Sequence, residues 1–217
     1  MIELFFDFVS PYSYLAWTQS RALGERVGHD IEPRPVLLAG ILNALGTKGP
    51  AEVPPRRAYA VKDFIRAAHR AGVTLVLPPT HPFNPLVALR VAALDLDREV
   101  RRRIVDALFG AAWRTGAGIE GSEGVGAALR EAGIDPTPFL ARASTPDAKD
   151  RLRHNTEEAI ARGAFGVPTM FVEGEMFFGF QSFPEIEAYT RGEDPVAKHG
   201  ETTQRWATLP SSASRKP

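Results

Sequence analysis

Strand-forming patterns lie only at the two ends of this chain, and a long stretch of helical periodicity separates them. Ile2-Glu3-Leu4-Phe5-Phe6-Asp7-Phe8 is rich in Phe and Ile and ends at a turn signal, which predicts a buried strand. A helix from about Pro11 to Val27 follows, with Tyr14, Leu15, Trp17 and Leu23 as its apolar positions. His29 to Val36 predicts a second short strand, in which Ile31 and Val36 are apolar while Pro33 and Pro35 demote it to an edge. Near the other end, Val167-Pro168-Thr169-Met170-Phe171-Val172, the turn Glu173-Gly174 and Glu175-Met176-Phe177-Phe178-Gly179 read as a β-hairpin, and Phe183–Tyr189 as one more helix. The two ends must therefore share one sheet, with the helical stretch inserted as a lobe.

Between about Leu37 and Gly163 the periodicity predicts helices over Leu38–Leu45, Arg56–Ala71, Asn84–Leu96, Glu99–Arg114, Gly124–Ala132, Pro138–Ala143 and Pro146–Arg162. Breakers such as Gly46-Thr47-Lys48-Gly49-Pro50 and Leu77-Pro78-Pro79 separate them. The fold class is α/β. Residues 1–36 and 164–192 form a discontinuous sheet domain, 37–163 the helical insertion, whose last helix returns to the sheet domain, and 193–217 a tail. That tail is polar and irregular, which suits a mobile segment or an arm against a partner subunit.

Lys+Arg and Asp+Glu number 26 each, so no global field draws the protein to nucleic acid or to an anionic membrane. No apolar stretch approaches the ~20 residues needed to span a bilayer. Glu3 and Asp7 interrupt the N-terminal apolar run, which has no cationic lead-in and does not read as a secretory signal; a soluble, cytoplasmic protein is expected. The complete absence of Cys excludes a disulfide framework, a thiolate metal site and a protein-based dithiol redox cycle. The five histidines are scattered and form no i,i+4 pair, so no metal site is expected. Gly116-Ala117-Gly118-Ile119-Glu120-Gly121 matches G-x-G-x-x-G literally but follows a helical segment rather than a strand, and reads as a helix–helix loop.

Two turns remain as candidate sites. Ser10-Pro11-Tyr12-Ser13 joins the first strand to the first helix, where unpaired backbone N–H groups and the helix dipole favour an anion. The same residues are also ordinary helix punctuation, since a Ser N-cap followed by Pro starts many helices, and Thr137-Pro138 and Thr145-Pro146 repeat the pattern. His81-Pro82-Phe83-Asn84-Pro85-Leu86 could present His81 and Asn84 rigidly into a cleft, or could simply enter a helix with Asn84 as N-cap and Pro85 at the first position.

With Phe6-Asp7-Phe8-Val9-Ser10-Pro11-Tyr12-Ser13-Tyr14-Leu15-Ala16 at one end and Gly163-Ala164-Phe165-Gly166-Val167-Pro168-Thr169-Met170 at the other, the chain resembles the 2-hydroxychromene-2-carboxylate isomerases. These belong with the kappa-class glutathione transferases in a DsbA-like branch of the thioredoxin fold. The likeness covers about residues 2–190, including Pro54–Asp63 and Pro82–Arg90. It implies a thioredoxin-like domain with a large helical insertion, glutathione as cofactor, an aromatic small-molecule substrate and a homodimer. Both positions of the thioredoxin-type Cys-x-x-Cys are serines here, Ser10 and Ser13, so the sulfur must come from another molecule.

The resemblance implies that Ser10 hydrogen-bonds the glutathione sulfur and favours its thiolate, the nucleophilic form. Pro11 shares that turn, and Pro168 falls at the family's cis-proline. Val167 before it would pair its backbone with the cysteinyl part of glutathione like an added strand. Thr47, Arg56, Gln181 and Ser182 occupy further cofactor-binding positions; Thr47 replaces a common Asn, Arg56 a Lys and Gln181 an acidic residue. Tyr12, His81 and Asn84 are candidates for the substrate side. The implied reaction is cis–trans isomerisation by reversible thiolate addition to an aromatic-ring-cleavage product. A kappa-like transferase that consumes glutathione and a non-catalytic thioredoxin-fold binding protein are the alternatives.

Overall fold

A computed structural model of the protein describes residues 1–210. Its sheet has four strands in the order β2-β1-β3-β4: β1 (Ile2–Phe6), β2 (Ile31–Pro35), β3 (Thr169–Val172) and β4 (Glu175–Phe178). β1 pairs parallel with β2 and antiparallel with β3, which pairs antiparallel with β4. Parallel neighbours need a crossover, and α1 (Pro11–Val27) supplies it. The prolines of β2 are accommodated because β2 is an edge strand. The hairpin between β3 and β4 turns at Glu173 (φ 52°) and Gly174 (φ 95°), and two positive φ values match the twist of an antiparallel pair.

Alternation along β1 builds two cores. Ile2, Leu4 and Phe6 face one side, where they meet Tyr14, Leu15, Trp17 and Leu23 of α1, Leu108 and Phe109 of α5 (Arg98–Phe109) and Ile186 of α9 (Phe183–Thr190). Phe5 faces the other side with Phe171, Ile41 of α2 (Leu38–Ala44) and Ala159 of α8 (Pro146–Ala161). Glu3 shares that second side and is neutralised by Arg34 at 3.4 Å and Arg162 at 2.7 Å.

The intervening residues form α2, α3 (Pro54–Arg70), α4 (Leu86–Ala93), α5, α6 (Gly121–Glu131), α7 (Thr137–Ala143) and α8. The expected number of helices is right, and their ends differ in instructive ways. The segment expected as one helix over Glu99–Arg114 ends its α-helix at Phe109 and continues as a π-helical turn, Gly110–Arg114, in which Thr115 N–H donates to Gly110 C=O at 3.0 Å. The helix expected over Asn84–Leu96 shortens to Leu86–Ala93, because Pro85 itself stands at the N-cap and Asn84 caps from one residue further out, its Oδ1 accepting from Leu86 N–H. Thr145-Pro146 does open α8 as expected, Thr145 accepting from Ala148 N–H, whereas Thr137 is already inside α7. The residues from Gly116 to Glu120 form a helix–helix loop and Gly121 opens α6, with positive φ at all three glycines.

The tail departs from its expected irregularity. Asp194 caps a short 3₁₀ turn, Pro195–Lys198, and α10 (Gly200–Thr208) follows, with no buried residue. The tail from Ser211 onward lies outside the described residues. Among those described, no helix is long and apolar enough to cross a membrane.

Candidate functional site

The turn Asp7-Phe8-Val9-Ser10 leaves the C-terminal end of β1 and is held from every side. Ser10 is the N-cap of α1: its backbone is extended (φ −93°, ψ 117°), and its Oγ accepts from Ser13 N–H at 3.1 Å. Pro11 stands at the first helical position and is buried. Because the Ser13 N–H occupies a lone pair of Ser10 Oγ, the hydroxyl hydrogen remains for a second partner. Ser10 is only 6% exposed, so its hydroxyl is largely shielded from water. Ser13 is fully buried, and its hydroxyl has no partner among the described residues.

Beneath the turn lies Asp7, fully buried, which accepts from Val9 N–H at 3.0 Å and from Leu38 N–H, at the start of α2, at 2.9 Å. Burial pushes its carboxyl up to about 7 against the pull of those two donors. Both carbonyls preceding Ser10 are taken up by side chains of the helical lobe. Trp113 Nε1–H, on the π turn, donates to Phe8 C=O at 2.7 Å, and His81 Nε2 meets Val9 C=O at 3.0 Å. The sequence singled out His81 but not Trp113, since a π turn carries the same apolar signature as the α-helix it interrupts.

A second segment stands at the same end of the sheet. Thr169 of β3 pairs with Phe5 of β1, so the Val167–Pro168 peptide just before it stands at the same end of the sheet as the Ser10 turn, and it is cis. Val167 and Pro168 are both buried. The N–H and C=O of Val167 make no hydrogen bond among the described residues. Pro168 C=O accepts from Gly179 N–H at 2.9 Å, which ties the hairpin's exit to this peptide. Gly179 opens the 3₁₀ turn Phe180-Gln181-Ser182, and the Phe180 ring stacks on Tyr12 (centroids 6.4 Å, 19°).

Tyr12 also meets Phe64 edge-on at 6.3 Å and donates to Asp63 Oδ2 at 2.6 Å. Burial, and then the Asp63 carboxylate, hold its phenol well above the usual tyrosine range, so Tyr12 presents a neutral aromatic face. Asp63 and Phe180 escaped the sequence reading because their partner lies on another element.

The remaining candidates are peripheral. Asn84 is exposed; its N–H donates to Glu120 while its Oδ1 caps α4. Arg56 is exposed in the first turn of α3, next to Arg57, which reaches His81 C=O at 3.3 Å. Thr47 is exposed in the loop after α2, its N–H donating to Leu42 C=O. Gln181 is exposed, and Ser182 Oγ donates to Gly179 C=O at 2.7 Å. The structure thus gathers Ser10, Pro11, Tyr12, His81, Val167 and Pro168 around one end of the sheet, and records no contact that brings Thr47, Arg56, Gln181 or Ser182 onto Ser10.

A family model described as the DSBA-like thioredoxin domain matches residues 1–190. A 2-hydroxychromene-2-carboxylate isomerase from Sphingobium xenophagum is 28% identical over 190 residues, 87% of this chain and 96% of its own length. Glutathione S-transferase kappa 1 from Rattus norvegicus is 30% identical over 207 residues, covering 89% of this chain and 91% of its own. Among solved structures, a 2-hydroxychromene-2-carboxylate isomerase superposes with a TM-score of 0.78 at 26% identity, covering 97% of this chain and 99% of the other.

Proposed function

The chain belongs to the DsbA-like thioredoxin family, and from that premise we propose that it is a glutathione-dependent isomerase of 2-hydroxychromene-2-carboxylate or a similar aromatic-ring-degradation intermediate. The observation that carries this reading is Ser10, a buried hydroxyl with its hydrogen still to donate, at the N-terminus of a 17-residue helix in a protein that has no sulfur nucleophile of its own. The donor set suits a thiol cofactor: Ser10 for the sulfur, and the unused Val167 N–H and C=O for a peptide-like backbone laid beside them. Arg56, Thr47, Gln181 and Ser182 are the residues on which the two ends of glutathione would rest.

When bound, glutathione supplies a thiolate that adds reversibly to an enone, turning a double bond into a rotatable single bond, and is returned unchanged. Ser10 lowers the cost of that charge at one end of the cleft. The Tyr12–Phe180 stack and Phe64 give an apolar wall suited to a flat aromatic substrate. Cytoplasmic location and a homodimer belong to the same reading, the latter checked by sedimentation.

The test is isomerisation of 2-hydroxychromene-2-carboxylate with and without glutathione, in wild type and Ser10→Ala. A charge-assisted hydrogen bond contributes about 1.5–3 kcal/mol, so the variant should lose roughly ten- to a hundredfold in rate, while the lost N-cap of α1 costs about 1 kcal/mol and lowers the melting temperature by only about 2–4 °C. A rate indifferent to glutathione, or untouched by the substitution, would overturn the reading. The 30% identity to a kappa-class transferase supports a second reading, in which glutathione is consumed by electrophiles. Counting glutathione molecules lost per turnover separates the two.

A further inference from the structure

The two peptide units that lead into Ser10 are each held at both polar ends. In the Phe8–Val9 unit the N–H donates to the Asp7 carboxylate at 3.0 Å, and the C=O accepts from Trp113 Nε1–H at 2.7 Å. In the Val9–Ser10 unit the N–H donates to Asp7 C=O at 3.1 Å, while the C=O meets His81 Nε2 at 3.0 Å. With both planes held, the backbone reaches Ser10 in one orientation, and the Ser13 N–H on Oγ then fixes the rotamer. Of the two side chains that the helical lobe sends to the turn, Trp113 is fully buried and its indole can only donate. Trp113 is itself anchored. Its ring packs between Phe64 and Phe83, centroids 6.5 and 6.2 Å away, and its C=O accepts from Val76 N–H at 2.7 Å. Gly116 closes on the same strap, since a Cβ there would come within 2.7 Å of Val76 Cγ1 and 2.9 Å of the Leu77 carbonyl oxygen. The strap is tied back to α1 by Tyr14 Oη, which donates to Thr74 C=O at 2.8 Å. Trp113 also sits on the π turn, whose extra residue turns its side chain away from where an uninterrupted α5 would carry it.

We propose that Trp113 is a positioning residue for Ser10: its indole N–H, acting through the Phe8 carbonyl, holds the turn in the orientation that aims the Ser10 hydroxyl at a bound thiol. The proposal rests on the glutathione reading above. A hydroxyl stabilises a sulfur anion only over a narrow range of distance and angle, so a turn free to tilt weakens that bond without closing the site. Without the indole donor, the Phe8 carbonyl is a buried acceptor with no partner, and the Phe8–Val9 unit is held at its N–H end alone. Loss of the donor therefore acts on thiolate formation, the property that Ser10 controls, whereas a loss of packing nearby acts on stability.

The test follows the thiolate ultraviolet absorbance of bound glutathione against pH in wild type, Trp113→Phe and Trp113→3-benzothienylalanine. The last keeps the shape of the indole and exchanges only its N–H for sulfur, so the core stays filled even where Phe leaves a gap. Phe109→Leu is the packing control, because the Phe109 ring lies on that of Phe8, centroids 4.7 Å apart, and can give the turn no hydrogen bond. Both variants that lack the donor should move the thiol titration up by about one pH unit and slow isomerisation about tenfold at neutral pH. Phe109→Leu should melt lower with its thiol titration in place. If Trp113→3-benzothienylalanine titrates like wild type, or Phe109→Leu shifts the titration as far as it does, the Trp113 assignment falls and the glutathione reading stands. If glutathione forms no thiolate on the wild type, both fall.

Discussion

Asp7 shows at the scale of one residue how the turn constrains itself. Its carboxylate holds Val9, next to Ser10, and Leu38, at the head of α2, yet its burial displaces the ionisation from 3.8 to about 7. Between these values the folded protein holds a proton that the unfolded chain has already lost. Stability contributed by this group is therefore complete below about pH 4 and declines as pH rises through about 7. The displacement corresponds to on the order of 4 kcal/mol at most. Asp7→Asn has no such titration, so its stability relative to wild type should improve steadily from pH 4 to pH 8 in denaturant melts; parallel pH curves for the two proteins would contradict this. The sequence displayed Asp7 as a polar interruption of an apolar strand, but its two backbone partners lie on elements that only the fold brings together.

At the scale of elements, α1 both supplies the site's N-terminus and crosses from β1 to β2, and a glycine sets how closely it approaches the sheet. A Cβ at Gly24 would lie 2.6 Å from the His29 carbonyl oxygen and 3.3 Å from Ile31, at the entry to β2. Helix propensity alone favours Gly24→Ala by about 1 kcal/mol. The backbone clash reverses that sign, so the variant should melt several degrees lower, and a higher melting temperature would show that β2 can give way. Gly24 also accepts from Gly28 and His29 N–H, with Gly28 in the left-handed conformation (φ 67°) that ends the helix. The periodicity located this helix to the residue at both ends. It failed at Gly110–Arg114, because α and π turns share composition and differ only in where the carbonyls find donors.

For the whole molecule, cohesion comes from the two faces of β1 and from ion pairs across its second face. Glu3 meets Arg34 and Arg162, both of which also pair with Glu158 of α8, so β1, β2 and α8 are joined by one charge cluster, with Arg162 over the Phe171 ring at 3.8 Å. α10 takes no part: it buries nothing, and Trp206 is 77% exposed. Removing the chain beyond Gly192 should leave the melting temperature of the isolated subunit unchanged within about 1–2 °C. A substantial drop, or a change of sedimentation state, would show that the arm is covered in solution.

What the amino-acid sequence determined by itself was local or periodic. A Phe- and Ile-rich run ending at a turn signal marked β1, two apolar runs around Glu173-Gly174 marked the hairpin, proline placed β2 at an edge, Ser10-Pro11 opened α1, and the absence of Cys removed dithiol chemistry. Each of these follows from a residue's own conformational preference or from spacing along a few turns of chain. The tertiary structure alone decided which distant side chains close on the turn: Trp113 on Phe8, His81 on Val9, Leu38 on Asp7, Phe180 and Asp63 on Tyr12. Such pairings depend on where a helical lobe packs and on how a hairpin registers beside β1. No residue's intrinsic preference encodes them; they arise when separate segments bury their faces together.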